Sequence, residues 1–240
     1  MAIAQFKDLC IDANDAQSLG EFYSAALGLR FTSHRDGDGQ ADGTQPQERI
    51  WFNAVPEPKT GKLRVHLDVH TDSVAGLEAL GARVIRPPDE EIHWTVMADP
   101  EGGEFCAFVR PDPPRQRIYA VIVDAADAAA QATWWADVFG GHTVRHRNGW
   151  WSVADIAGAP FESMLFIEVP EPKLVKNRVH WDVESGDPDA LTERGATVLR
   201  EPDAEIAWRI LADPEGNEFC AFDPNRRPRG PAVTGAHTDP

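Results

Sequence analysis

Two short segments hold the residues with the most chemical capacity: residues 65–70 read VHLDVH and residues 179–184 read VHWDVE. On a strand, residues i and i+2 share a face. His66, Asp68 and His70 therefore project one way and Val65, Leu67 and Val69 the other; His180, Asp182 and Glu184 oppose Val179, Trp181 and Val183 in the same manner. An imidazole with a carboxylate two residues on can work as a general base whose tautomer the carboxylate sets, or can supply ligands to a metal. It is equally the pattern of a hydrogen-bonded polar pair. The valine face is apolar enough to pack on helices, and the ionisable face suits the lining of a cavity.

These segments belong to a repeat. VPEPKTGKLRVHLDVHT (55–71) matches VPEPKLVKNRVHWDVES (169–185) at an offset of 114, and the same offset relates Gly81 to Gly195, Trp94 to Trp208, Asp99 to Asp213 and Cys106 to Cys220. Upstream, FYSAALGL (22–29) matches WWADVFGG (134–141) at 112, so two residues enter the second copy between this helix end and VPEPK, where a variable loop is expected. Each copy predicts a strand (FKDLCIDA or IYAVIVDA), then a helix with an acidic N-terminal turn, closed in the first copy by Gly28. Two or three strands, the histidine strand, a short helix ending at Gly81 and three further strands follow, with DPEG turning into the last. That is two successive strand-helix-strand-strand-strand modules per copy and an α+β fold. The expected boundaries are 1–110 and 118–223, with a linker at 111–117 and a disordered tail at 224–240. The run RDGDGQADGTQPQ predicts a mobile loop or loose hairpin in the first copy only.

Composition narrows the partners. With 39 acidic against 23 basic residues and a formal net charge of -16, a general nucleic-acid binder is disfavoured, because phosphates need a basic surface. Cations, metal ions and basic small molecules are favoured instead. Three cysteines, no charged-then-apolar leader and no long apolar run predict a cytoplasmic chain with free thiols and no membrane span. No phosphate-binding loop, dinucleotide fingerprint, nucleophile elbow or zinc-finger spacing is present.

The paired modules, the FYSAALGL helix end, the histidine strand and DPEGGEF or DPEGNEF before the last strand together resemble the vicinal oxygen chelate superfamily of glyoxalase I, bleomycin-resistance proteins and extradiol dioxygenases. The likeness is strongest to its glyoxalase-like domains and spans 6–109 and 118–223. It implies two tandem cups, each a curved mixed sheet of two modules, related by an approximate two-fold axis. A monomer with an internal pseudo-dimer, or a homodimer, is expected.

Metal-dependent members carry ligands on the first, fourth, fifth and eighth strands. Alignment puts Asp8, Ala54, His66 and Cys106 there in the first copy and Ala120, Glu168, His180 and Cys220 in the second. The family's usual set is incomplete in both, leaving Asp8, His66 and Cys106, and Glu168, His180 and Cys220, as candidate trios for a divalent metal. Some members exchange modules between cups, but both second modules supply a histidine and a cysteine. The catalytic candidates are His66, His180 and Glu168; Asp68 and Asp182 would orient the histidines. Trp94 and Trp208 are either core or a flat aromatic wall for a planar ligand, Trp150 and Trp151 suit a pocket rim, and Trp134 and Trp135 suit packing. Lys59 and Lys173 are expected to be solvated. The favoured function is binding of a small, cationic organic molecule in the manner of bleomycin-resistance proteins. A metal-dependent glyoxalase-type lyase or isomerase, or a dioxygenase, is the alternative.

Overall fold

The computed structural model describes residues 2–226, so most of the tail expected to be disordered lies outside the described residues. Four modules follow one another. The first is β1 (Gln5–Ala13), α1 (Ala16–Leu27), β2 (Arg30–Ser33), β3 (Gly39–Asp42) and β4 (Ile50–Ala54); the second is β5 (Val65–Thr71), α2 (Val74–Ala79), β6 (Arg83–Arg86), β7 (Thr95–Ala98) and β8 (Glu104–Val109). The second copy repeats them as β9 (Ile118–Ala125), α3 (Ala128–Phe139), β10 (His142–Arg145), β11 (Trp151–Ala154) and β12 (Ser163–Glu168), then β13 (Val179–Glu184), α4 (Asp189–Glu193), β14 (Thr197–Arg200), β15 (Arg209–Ala212) and β16 (Glu218–Phe222). The acid expected in the first helical turn stands one step earlier, as the cap: Asp15 accepts a hydrogen bond from the Ser18 amide and Asp127 one from that of Ala130. Gly28 (φ 71°) and Gly140 (φ 67°) end these helices in the left-handed conformation that glycine adopts most readily. Among the described residues no helix is long and apolar enough to cross a membrane.

The modules assemble into two mixed eight-stranded sheets, each drawn from both copies. The first sheet joins module one to module four through antiparallel pairing of β1 with β13, and the second joins modules two and three through β5 and β9. The VPEPK connections carry the chain across between sheets. The extended connection expected from the two prolines is not what forms: each connection bends at its first proline and the following glutamate, Pro56–Glu57 and Pro170–Glu171. The crossing is reciprocal: Arg64 Nη1 donates to the Glu171 carbonyl and Arg178 Nη1 to the Glu57 carbonyl, both at 2.7 Å. Lys59 and Lys173 are not solvated as expected. They are largely covered and paired with Glu104 (3.1 Å) and Glu218 (2.8 Å), which anchors each connection to the last strand of its own copy.

The valine faces meet α1 and α3 in one continuous core that includes Leu9, Leu67, Phe105, Val121, Trp135, Trp181 and Phe219. The two added residues of the second copy fall between β11 and β12, since β3 and β11 still match at 112 whereas β4 and residues 164–168 match at 114. The glycine-rich run corrects its expectation. It contains β3, hydrogen-bonded between β2 and β4, and the second copy has the equivalent hairpin in β10 and β11.

Here glycine makes room for a ring. A Cβ at Gly20 would stand 2.2 Å from the Phe31 ring and one at Gly39 2.6 Å from it, so the ring cannot yield to one without pressing on the other. Gly20→Ala is therefore expected to destabilise by about 1–3 kcal/mol through overpacking, against a gain near 1 kcal/mol at an open helical site. Urea unfolding giving a more stable variant would show that the ring has somewhere to go.

Candidate functional site

Each sheet curves around a cup, and the two cups have diverged. In the second sheet the cup is open, enclosing about 290 Å³ above His66, Asp68 and Cys106. The parity of β5 and β8 sets this floor, because Asp68 pairs directly with Cys106 and His66 lies two residues along on the same face. At the floor His66 Nε2 is 3.7 Å from Cys106 Sγ and 3.8 Å from Asp68 Oδ1. Asp68 Oδ1 and His66 Nδ1 are buried without a protein partner.

Aromatic rings form one wall. Trp94 stacks on Phe108 at 5.5 Å, Tyr119 meets Phe108 edge-on at 5.3 Å, and Trp150 closes the rim 6.3 Å from Trp94. Tyr119 turns inward because the pairing of β5 with β9 slips between Asp68 and Val69, leaving Tyr119 the unpaired residue of a bulge. His146 and Asn148 line the same cavity from the β10–β11 turn. His70, grouped with His66 by alternation, is buried beyond the bulge beside Tyr119, 4.9 Å away, and is not part of the cavity lining.

In the first sheet the corresponding space is filled. Lys7, at the position equivalent to Tyr119, reaches in, 2.7 Å from Asp8, 3.8 Å from Asp182 and 4.2 Å from the centre of the Phe222 ring. Trp51 donates its indole N–H to Asp8 at 3.3 Å, and Trp208 stacks on Phe222 at 5.0 Å. Below them lie Cys10, His180, Asp182 and Cys220, all buried, with Cys220 Sγ 3.8 Å and Asp182 Oδ1 3.9 Å from His180 Nε2.

Strand exchange corrects both candidate trios. Asp8 shares a cup with His180 and Cys220 rather than with His66 and Cys106, because β1 pairs with β13. Glu168 joins neither cup. It is exposed at the end of β12, one residue out of phase with Ser163, Leu165 and Ile167, which line the open cup, so the proposed catalytic carboxylate is displaced by the strand's two-residue period. Ala120 does line the open cup, leaving that floor without a first-strand ligand. Trp151, expected at the rim with Trp150, packs against the core on the opposite face.

Cys10, Phe108, Tyr119 and His146 were missed. Alternation of Asp8, Cys10 and Asp12 along FKDLCIDA carried a signal for the first, and Cys106 and Phe108 in EFCAF for the second; the bulge that turns Tyr119 inward leaves none.

Burial dominates the electrostatics. It pushes the Asp68 carboxyl up to about 7 and the His66 imidazole down to about 4, so at pH 5.5 the native floor holds its proton on the carboxyl, not the ring. In the closed cup burial, reinforced by the neighbouring Asp8 charge, raises the Asp182 carboxyl well above the usual range, and burial lowers His180 and raises the Cys10 thiol. For Asp68 the native value lies above the unfolded one, so its contribution to stability is full below about pH 4 and lost as pH rises towards 7. For His66 the native value is depressed, so its contribution is full above about pH 6.5 and lost as pH falls towards 4. Between those limits native and unfolded states bind equal numbers of protons at this pair, and its stability contribution is flat. Asp68→Asn, which removes the buried charge, is expected to raise the melting temperature by roughly 3–8 °C at pH 8 and to leave it nearly unchanged at pH 4. An equal shift at both pH values would exclude this origin.

The donor atoms of His66, Asp68 and Cys106 lie within 4.8 Å of one another, as do those of Cys10, His180 and Asp182. In the open cup an unpaired carboxylate oxygen beside an imidazole and a thiol fits a divalent metal held by three protein ligands, with a further position towards the cavity.

The profile of the family described as "glyoxalase-like domain" matches residues 8–108 and again 120–222. No curated protein matches the sequence. Among solved structures, glyoxalase I from Zea mays superposes with a TM-score of 0.62 at 14% identity, covering 92% of each chain. A candidate dioxygenase from Bacillus subtilis subsp. subtilis str. 168 gives 0.65 at 13% identity over 93% of this chain and 86% of its own, and the cppA protein from Streptococcus pneumoniae TIGR4 gives 0.51 at 12% over 92% and 98%. At such identities the likeness is one of fold.

Proposed function

The chain belongs to the glyoxalase-like domain family, and from that premise we propose that its open cup binds a flat, cationic organic molecule between the aromatic wall and the His66–Asp68–Cys106 floor. The observation that carries this reading is the wall itself: Trp94, Phe108, Tyr119 and Trp150 surround a cavity of about 290 Å³, the size for a small ring system. Ring faces attract a delocalised cation, and Asp68, once ionised, adds a charge at the base. His146 and Asn148 offer hydrogen-bonding groups at the mouth. Sequestration of such a molecule is the role this geometry serves without further parts.

A second reading rests on the floor alone. His66, Asp68 and Cys106 would hold a divalent metal, which supplies Lewis-acid polarisation of paired substrate oxygens when bound. Asp68 would give up its proton to act as a ligand beside the neutral His66, while the aromatic wall would position the substrate end that enters first and exclude water.

Titration with a planar cationic dye of the acridine class, followed by tryptophan fluorescence, tests the first reading. Trp94→Ala is expected to weaken binding by about 10–100-fold with little loss of stability, because the ring is only half-buried and its partner Phe108 stays in place. His180→Ala, in the closed cup, should leave dye affinity within about twofold. Unchanged affinity in Trp94→Ala, or its loss in His180→Ala, would move binding out of the open cup.

A further inference from the structure

Where the two connections cross they enclose another cavity, of about 500 Å³, bounded by residues between Val55 and Arg64 of the first copy and residues 175–178 of the second, with Asp12 beside them. It shares no lining residue with the open cup. We infer that this crossing cavity is a separate ligand site, for a small aliphatic monocarboxylate of the medium-chain fatty-acid class.

Charge selects the head group. In a chain of net charge -16, five cations line this one cavity: Lys59, Lys62, Arg64, Lys176 and Arg178. Four are answered by carboxylates, Lys59 by Glu104 at 3.1 Å, Lys62 by Asp124 at 2.7 Å, Lys176 by Asp12 at 2.6 Å and Arg178 by Glu101 at 3.0 Å. Arg64 has no carboxylate partner among the described residues. It donates to two neutral carbonyls, of Glu171 at 2.7 Å and Asp124 at 3.1 Å, and its Nε is buried with no partner. The repeat counterpart of Glu101 at this end, Glu215, is given over to the Ala126 and Asp127 amides, both at 2.7 Å. Glu57, the remaining carboxylate of the lining, is exposed, so solvent screens its charge. One unanswered guanidinium calls for one negative charge. A phosphate dianion would bring a second charge with no unpaired cation of the described lining to meet it.

The walls select the body. Val55, Pro58, Leu63 and Val175 supply aliphatic surface, and no aromatic side chain is among the lining residues, so an alkyl chain fits here where the open cup suits a flat ring. The two copies differ at this place, Thr60 and Gly61 standing where the second copy has Leu174 and Val175. Gly61 leaves space, since a Cβ there would meet nothing within 4 Å. Val175 in the wall is 53% exposed and Leu174 before it 84%, apolar surface that packing leaves uncovered. An alkyl chain along Val175 removes part of that surface from water, and its carboxylate meets Arg64, whose guanidinium has N–H groups to spare. The bound molecule touches both connections and so ties the crossing together.

The probe is sodium octanoate, titrated calorimetrically into the full chain at low ionic strength. About one equivalent is expected to bind, with a Kd on the order of 10–100 μM, and saturating octanoate should raise the melting temperature. Val175→Asp sets a carboxylate in the wall at an exposed position and should weaken binding about tenfold or more with the fold intact. Arg64→Gln should weaken it similarly, and Arg64→Lys, which keeps the charge, should lose less. Because Arg64 also holds the crossing, Val175→Asp decides the matter if Arg64→Gln unfolds. Octanol and octylammonium carry the same chain without the negative charge, and both should bind about tenfold more weakly or worse. Trp94→Ala should leave octanoate affinity within about twofold, which keeps this site distinct from the open cup. No saturable binding up to about 2 mM octanoate, affinity unchanged in Val175→Asp or lost in Trp94→Ala, or octylammonium binding as well as octanoate, would overturn the assignment.

Discussion

Replacing Trp135 with alanine is expected to destabilise the fold by about 3–5 kcal/mol, the range for deleting a fully buried indole. The residue sits on α3 with 0% exposure, and its ring meets Trp181 at 4.8 Å, Phe219 at 5.1 Å and Phe139 at 5.2 Å. Two of those partners, Trp181 and Phe219, lie on strands of the other sheet, so the indole spans the seam between sheets and its loss opens both. It also donates to Asp213 at 3.2 Å, in the turn that enters β16. The first-copy counterpart is Tyr23, whose hydroxyl donates to Asp99 at 3.1 Å. Tyr23→Phe removes only that bond and should cost about 1–2 kcal/mol. Urea unfolding of both variants would check the pair of values, and a Trp135→Ala loss below about 1 kcal/mol would mean that the seam repacks.

Cutting the chain in the linker should have a still larger effect. A fragment of residues 1–112 contains β1 and β5, and in the intact protein neither pairs with the other: β1 pairs with β13 and β5 with β9. Alone, the fragment exposes two central strand edges and their valine faces, surfaces that drive association. The expected outcome is a homodimer in which module one of each fragment pairs with module two of its mate, or an insoluble product. Analytical ultracentrifugation at micromolar concentration decides the matter. A folded monomer would mean that the modules of one copy can close on each other and that the VPEPK connection does not dictate the exchange.

The fold was legible in the sequence because duplication writes each signal twice. A constant offset, a capped helix ended by Gly28 and strands of strict alternation fixed four modules and their order. Pairing between modules was not legible, since β1 offers the same apolar and polar faces to β5 as to β13. The floor residues His66 and Asp68 followed from parity, and Cys106 from its alignment with the family's ligand position on the last strand. Glu168 was misplaced because a strand's two-residue period turns an alignment error of one residue into the opposite face. Tyr119 and Lys7 were invisible for a related cause: both occupy bulges, and a bulge cancels the periodicity from which facing is read.

The crossed arms of Arg64 and Arg178 also bear on how such a protein changes over generations. In a two-chain ancestor with the same exchange, every substitution would strike both cups at once, and a lysine that plugged one would plug the other. Covalent fusion guarantees that unlike halves always meet in equal number. Lys7 could then arise opposite Tyr119, and Cys10 opposite Ile122, so that one cup took a lysine and a thiol while its twin kept an aromatic ring and an aliphatic side chain. Selection thus acts on a single gene as though on two subunits, with no risk of mismatched pairs.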